Sequence, residues 1–151
     1  MSPIQRKKVL FICNANAGRS QLAEGILRHL YKDHYQVKSA GLDPRPINPL
    51  TLQVLQEVGV DTSPLKSKGL EKYEGQYFDR VVSLCGGEDE DCPVFLTAAL
   101  FIHQGFPDPR AISINEDLTL EEKLEGFRRI RDQIQDWIEV QFKPVPRKDQ
   151  I

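Results

Sequence analysis

The sequence predicts an α/β fold: a single domain on a four-stranded parallel sheet of order 2-1-3-4, with helices on both faces. Three observations carry this. Apolar runs of strand length alternate along the chain with stretches of helical periodicity. The first run, Val9-Leu10-Phe11-Ile12, is apolar without alternation, as in a central strand covered on both faces. The 151 residues contain no repeat and no linker, and they suffice for one domain with a real core. Right-handed crossovers in that order put strand 1 beside the switch point, where strand carboxyl ends open a ligand crevice.

Lys7 to Ile12 is the first predicted strand. A helix follows from about Ser20 to Tyr31, with Leu22, Ala23, Ile26, Leu27 and Leu30 at helical spacing. Tyr35 to Ala40 is a short second strand closed by Gly41, and the two prolines of Asp43-Pro44-Arg45-Pro46 make a stiff loop. Asn48-Pro49 starts the next helix, asparagine as N-cap and proline in the first turn. Leu52, Leu55 and Val58 are its expected buried stripe and Gly59 its terminator. Asp61 to Gln76 carries mixed signals, with one helical turn near Leu70 to Tyr73. Phe78 to Leu84 is the third strand, running into Cys85; Ala98 to His103 is the fourth, leading to Gly105-Phe106-Pro107-Asp108-Pro109. The last helix opens with a capping box, Thr119 with Glu122, and lines Leu124, Phe127, Ile130, Ile134, Trp137 and Ile138 along one face. The tail Lys143 to Ile151 is polar and expected to fray.

Hydrophobic residues at 40% and charged residues at 28% are ordinary for a soluble globular chain, and a net charge of −2 supplies no attraction to nucleic acid or a membrane surface. No apolar run nears a membrane span, and Met1 to Lys8 is polar and basic without a signal-peptide core. The expected location is cytoplasmic, where three cysteines are candidates for redox or nucleophilic work and not for a disulfide scaffold.

The chemistry starts at the end of strand 1. Cys13 and Arg19 bracket the loop Asn14, Ala15, Asn16, Ala17 and Gly18, and Ser20 begins the helix. Such a loop can cradle a tetrahedral oxyanion: its amides form a nest, the helix adds its positive end, and the guanidinium grips two oxygens. The same field suits a thiolate, the nucleophilic form of cysteine. Alone, the spacing also fits a buried strand-end cysteine beside a surface arginine.

Cys85 and Cys92 are seven residues apart. A helix between them would separate the Cα atoms by about 10 Å, beyond the roughly 7 Å a disulfide allows. The segment is therefore a loop already, or it unwinds on oxidation, with Gly86, Gly87 and Pro93 easing the change. A packed strand-end cysteine and an idle loop thiol is the other reading. Glu88, Asp89, Glu90 and Asp91 disfavour thiolate at both cysteines, or simply form a solvated face. His29, His34 and His103 lack metal-ligand spacing to any cysteine, so no metal site is expected. Asp108, between two prolines, could meet the anion site or merely form a turn.

Cys13-x5-Arg19-Ser20 followed by Gln21-Leu22-Ala23-Glu24-Gly25 resembles the phosphate loop and first helix of the low-molecular-weight protein tyrosine phosphatase fold. It is most similar to the branch of thioredoxin-coupled arsenate reductases. Leu84-Cys85-Gly86 with Cys92-Pro93 resembles that branch's redox segment, and Gly105 to Pro109 its acid loop; the likeness runs from about Lys7 to Gln141. The resemblance implies that Cys13 attacks arsenate in a cradle gripped by Arg19, with phosphate or sulfate as competing oxyanions. It implies that Ser20 donates to the Cys13 thiolate, Asn16 holds the loop's left-handed turn, and Asp108 protonates the departing oxygen, with Pro109 fixing its approach. Cys85 would then attack Cys13 and release arsenite, and Cys92 would attack Cys85, leaving a disulfide for thioredoxin. No cofactor is implied.

Two positions depart from the pattern. Gly18 stands where the branch often has a further cysteine. Members also bind potassium through an asparagine, a glutamate, a serine and an aspartate; Asn16, Glu24 and Ser39 fit the first three, but Lys68 aligns with the aspartate. A lysine ammonium there would take the cation's place. A phosphatase acting through a Cys13 phosphocysteine is the main alternative, although Arg110-Ala111 follow Asp108-Pro109 where phosphatases usually place tyrosines. A non-catalytic thiol sensor is the other, and it would need neither Arg19 nor Asp108.

Overall fold

A computed structural model describes residues 6–85 and 98–144. The elements run β1 (Lys7–Cys13), α1 (Arg19–Tyr31), β2 (Tyr35–Gly41), α2 (Pro49–Gln56), a single 3-10 turn (Leu70–Tyr73), β3 (Phe78–Ser83), β4 (Ala98–His103), α3 (Pro109–Ser113) and α4 (Leu120–Phe142). The sheet order is β2-β1-β3-β4 with every pairing parallel, as expected from the alternation of strand and helix signals.

Two cores lie on the two faces of the sheet. On one, Val9, Phe11, Val37, Val82 and Leu84 meet Leu22, Ile26 and Leu27 of α1 and Phe127, Ile130, Ile134 and Ile138 of α4. On the other, Leu10, Ile12, Ala40, Phe78 and Val81 meet Tyr73 of the 3-10 turn. Adjacent residues of β1 thus enter opposite cores, which is why the run shows no polar alternation. α4 begins with the expected capping box and ends on Phe142, which stands edge-on to Tyr35, Phe11 and Trp137. α2 is clamped to α4 by Glu57, which accepts from Arg128 at 2.8 Å and from Arg131 at 2.9 Å.

Two expectations change. α2 ends at Gln56, and it buries Thr51, Val54 and Leu55, while Leu52 is only half-buried and Val58 is exposed. Its inner face is set by α1 and α4 together, and a polar Thr51 qualifies because its hydroxyl donates to the Ala17 carbonyl at 3.2 Å. The segment after Pro107, read as loop, contains α3. Asp108 caps it and Pro109 occupies its first turn, the same Asx-Pro signature that starts α2. Cys92, the acids Glu88 to Asp91, and the tail from position 145 lie outside the described residues, as does Pro93.

Candidate active site

β1 delivers Cys13 to the carboxyl edge of the sheet, 2% exposed, and α1 opens six residues later at Arg19. Residues 42–51 hold the intervening loop from outside. The amide of Leu42 donates to the carbonyl of Cys13 (3.3 Å), Asp43 to Asn14 (2.8 Å), Arg45 to Ala15 (2.9 Å) and Asn48 to Ala17 (3.1 Å). The Gln21 side chain takes the Asn16 carbonyl at 3.0 Å. In a trans peptide the N–H points opposite the preceding C=O. Carbonyls of residues 13–17 drawn outward therefore turn the amides of residues 14–18 inward, which is the arrangement an oxyanion requires. This close approach needs Gly41: a Cβ there would stand 2.7 Å from the Asn16 nitrogen and 2.8 Å from the Asn14 oxygen.

Asn16 turns the loop. Its φ of 49° is the one positive value at a non-glycine among the described residues, and its side chain is fully buried. Nδ2 donates to Ser20 Oγ (2.8 Å) and Ser39 Oγ (2.9 Å), while Oδ1 accepts from Gln21 Nε2 (3.0 Å) and the Lys68 amide (2.7 Å). All four hydrogen-bonding positions of the amide are used. Ser20 Oγ, already accepting from Asn16, lies 2.8 Å from Cys13 Sγ, so its own proton is available to the sulfur.

Arg19 is 3% exposed. Its Nη1 donates to the carbonyls of Leu84 (3.3 Å) and Phe106 (3.2 Å), and Nη2 lies 3.7 Å from Asp108 Oδ2. The guanidinium thus touches both the end of β3 and the acid loop. Asp108 divides its two oxygens: Oδ1 accepts from the Arg110 amide at 3.0 Å as the cap of α3, leaving Oδ2 toward Arg19. Cys85 follows Leu84 and is 2% exposed. A cavity of about 380 Å³ opens over the loop, and its lining includes Cys13, Gly18, Arg19, Asp108, Arg45 and Arg110. Arg45 looks like any surface arginine in the sequence; Arg110 stands out there only as a departure from the tyrosines of phosphatases, and Gln21 only as part of the first-helix motif, with no sign that either serves the loop.

Behind the loop, Asn16, Ser39, Glu24 and Lys68 meet in one network. Ser39 Oγ donates to Glu24 Oε1 at 2.5 Å, Arg28 donates to Glu24 Oε2 at 2.7 Å, and Lys68 Nζ lies 3.6 Å from Glu24 Oε1 and donates to the Lys66 carbonyl. Burial pushes the Lys68 ammonium below the usual lysine range, and the Glu24 carboxylate opposes that. These residues do not fit a potassium ion: an ammonium already stands against Glu24, and the Asn16 oxygen is committed. Among the described residues, no cluster of His, Cys, Asp and Glu suits a metal ion, and no helix is long and apolar enough to cross a membrane.

Residues 8–150 match the family described as low molecular weight phosphotyrosine protein phosphatase. An arsenate reductase of Halalkalibacterium halodurans is 35% identical over 131 residues, covering 87% of this chain and 91% of the relative. A solved structure described as an arsenate reductase in the phosphate binding state superposes with a TM-score of 0.73 at 32% identity, covering 89% of this chain and 95% of that one. The thioredoxin-dependent arsenate reductase of Corynebacterium glutamicum superposes with a TM-score of 0.56 at 28% identity, covering 92% of this chain and 64% of that one.

Proposed function

This chain belongs to the low molecular weight phosphotyrosine protein phosphatase family, and within it we propose that the chain reduces arsenate to arsenite, drawing electrons from thioredoxin. The observation that carries the reading is the anchoring of Arg19 on the Leu84 carbonyl, which ties the oxyanion grip to the residue before Cys85. A phosphatase needs only water after the first step, whereas a reductase needs a second thiol at the site. Relatives named arsenate reductase support the same choice.

In the first step the Cys13 thiolate attacks arsenic; an S–As bond forms and an As–O bond breaks. The departing oxygen takes a proton from Asp108 Oδ2, the carboxyl oxygen that capping leaves uncommitted. The amide nest and Arg19 hold the remaining oxygens as charge develops. Cys85 then attacks Cys13 Sγ. The S–S bond forms as S–As breaks, and the electron pair stays on arsenic, which leaves as arsenite. Cys92 attacks Cys85 Sγ and frees Cys13, and a thioredoxin dithiol reduces the resulting Cys85–Cys92 disulfide. Two thiols are oxidised for each arsenic reduced.

Arsenate reduction under thioredoxin recycling, with Cys13→Ser, Cys85→Ser and Cys92→Ser alongside, tests this. Each serine variant loses multi-turnover reduction, while only Cys13→Ser loses cleavage of an aryl phosphate. Full reduction by Cys92→Ser with thioredoxin would point to glutathione and glutaredoxin instead, and absence of arsenate reduction with intact phosphatase activity would return the chain to the phosphatases.

A further inference from the structure

We propose that Arg45 and Arg110 form a second anion subsite at the mouth of the cavity, and that the chain hydrolyses small phosphomonoesters whose leaving group carries a carboxylate. The inference rests on the reading of Cys13 and Arg19 as nucleophile and oxyanion grip, and not on Cys85 or Cys92. The cavity holds about 380 Å³. At roughly 30 Å³ for a water-sized group, the five heavy atoms of arsenate or phosphate fill at most about 150 Å³. What is left suits about seven further heavy atoms, a ring or short carbon skeleton with one polar group.

The charge around that space is of one sign. Its floor is Cys13, the loop and the buried Arg19. Its walls are residues 45–49 on one side and α3 on the other, joined by Asn48 Nδ2, which donates to Ser113 Oγ at 2.9 Å. Each wall carries one exposed arginine, Arg45 on the first and Arg110 on the second. Arg45 Nη2 lies 3.3 Å from Asp43 Oδ2, but both side chains are more than half exposed, so that pair is weak and open to exchange for a ligand carboxylate. Among the described residues, Asp108 is the one carboxylate in the lining, and its oxygens go to the Arg110 amide and to Arg19. Pro46, Ile47 and Ile114 give the walls an apolar face for a carbon skeleton. Where phosphatases of this fold usually place tyrosines, Arg110 offers a planar fork of donors that matches a carboxylate.

In the reaction Cys13 Sγ attacks phosphorus. The S–P bond forms, the P–O bond to the leaving group breaks, and the leaving oxygen takes the Asp108 proton. Water then attacks the phosphocysteine and gives its proton to the Asp108 carboxylate, and the S–P bond breaks to return thiolate and phosphate. No oxidant or reductant enters.

The test compares kcat/KM for 4-carboxyphenyl phosphate with that for its neutral isostere, 4-carbamoylphenyl phosphate, and runs the 3-substituted pair alongside. The esters are the same for every variant, so their intrinsic reactivities cancel when the ratios are compared. An exposed charge pair changes a rate by up to about fivefold. Arg110→Gln should lower the acid-to-amide ratio about three- to fivefold, and adding Arg45→Gln should lower it to about a tenth of wild type. Arg110→Lys should keep part of the preference, and the wild-type ratio should shrink as salt is raised from about 0.1 M to 1 M. Equal ratios in wild type and the double variant, for both ester pairs, overturn the subsite and leave the Cys13 reading intact. A wild type that reduces arsenate but cleaves none of the esters overturns the hydrolysis. Cleavage that persists in Cys13→Ser overturns the nucleophile assignment, and the inference with it. Phosphotyrosine peptides followed by aspartate or asparagine test the size of the substrate: a charge preference as large as that of the aryl esters overturns the restriction to small ones.

Discussion

Ser20, Asn16 and Lys68 show how much of this site rests on single atoms. Ser20 Oγ accepts a hydrogen bond from Asn16 Nδ2 and has its own hydroxyl proton to offer Cys13 Sγ, 2.8 Å away. A hydrogen bond to a charged group is worth about 1.5–3 kcal/mol, so Ser20→Ala should slow aryl phosphate cleavage by about ten- to a hundredfold. Initial rates at saturating and limiting substrate check it; a rate equal to wild type would remove Ser20 from the nucleophile's support. Lys68 carries a second prediction. With its ammonium beside Glu24, the melting temperature and activity of the wild type should be the same in KCl and NaCl at equal ionic strength. Lys68→Asp should acquire a preference for potassium. Stimulation of the wild type by potassium would show that the ammonium does not stand in for the cation.

The elements follow the sequence wherever periodicity and capping agree, and depart from it where neighbours decide. The Asx-Pro pair at Asn48-Pro49 marked α2, and the same pair at Asp108-Pro109 marks α3, whose five residues carry too little periodicity to be seen. The stripe of α2 shifts to Thr51, Val54 and Leu55 because two other helices choose which face turns inward. α4 is long enough that its own stripe was unambiguous, and it closes the domain on Phe142. That ring is fully buried against Phe11, Tyr35 and Trp137, and its carbonyl accepts from the Tyr35 hydroxyl at 2.9 Å. Phe142→Ala should cost about 3–5 kcal/mol, measured by urea denaturation. A loss below about 1 kcal/mol would mean that the end of α4 is not part of the cooperative core.

Across the whole molecule, the sheet pairs β1 with β3, so that the chain runs out of neighbouring strands into Cys13 and Cys85, although seventy-two positions separate them. After one equivalent of arsenate without reductant, the proposed relay leaves one free thiol of the three, and Cys13 is the one that alkylation should label. Two buried phenols link the fold to pH. Burial raises Tyr73 to about 12 and raises Tyr35 as well. A phenol that ionises near 10 when unfolded and only near 12 when folded stabilises the fold below pH 10, and that contribution is lost as pH climbs toward 12. Melting temperature should fall over that interval, and less steeply in Tyr73→Phe. Equal slopes would assign the alkaline loss to other groups.

The sequence by itself determined the sheet and its order, the helix starts that carry caps, and the loop from Cys13 to Ser20. Those are local matters: apolar runs choose strands, Asx and proline choose helix starts, and six-residue spacing chooses the loop. Only the tertiary structure decided what surrounds that loop. The outward pull on its carbonyls comes from residues 42–51, the grip of Arg19 is braced on Leu84 and Phe106, and α3 packs against the glycines at 18 and 126. Each of these joins residues distant in the chain through a carbonyl or a missing Cβ. Backbone carbonyls are the same at every position, and an absent side chain leaves no pattern to read.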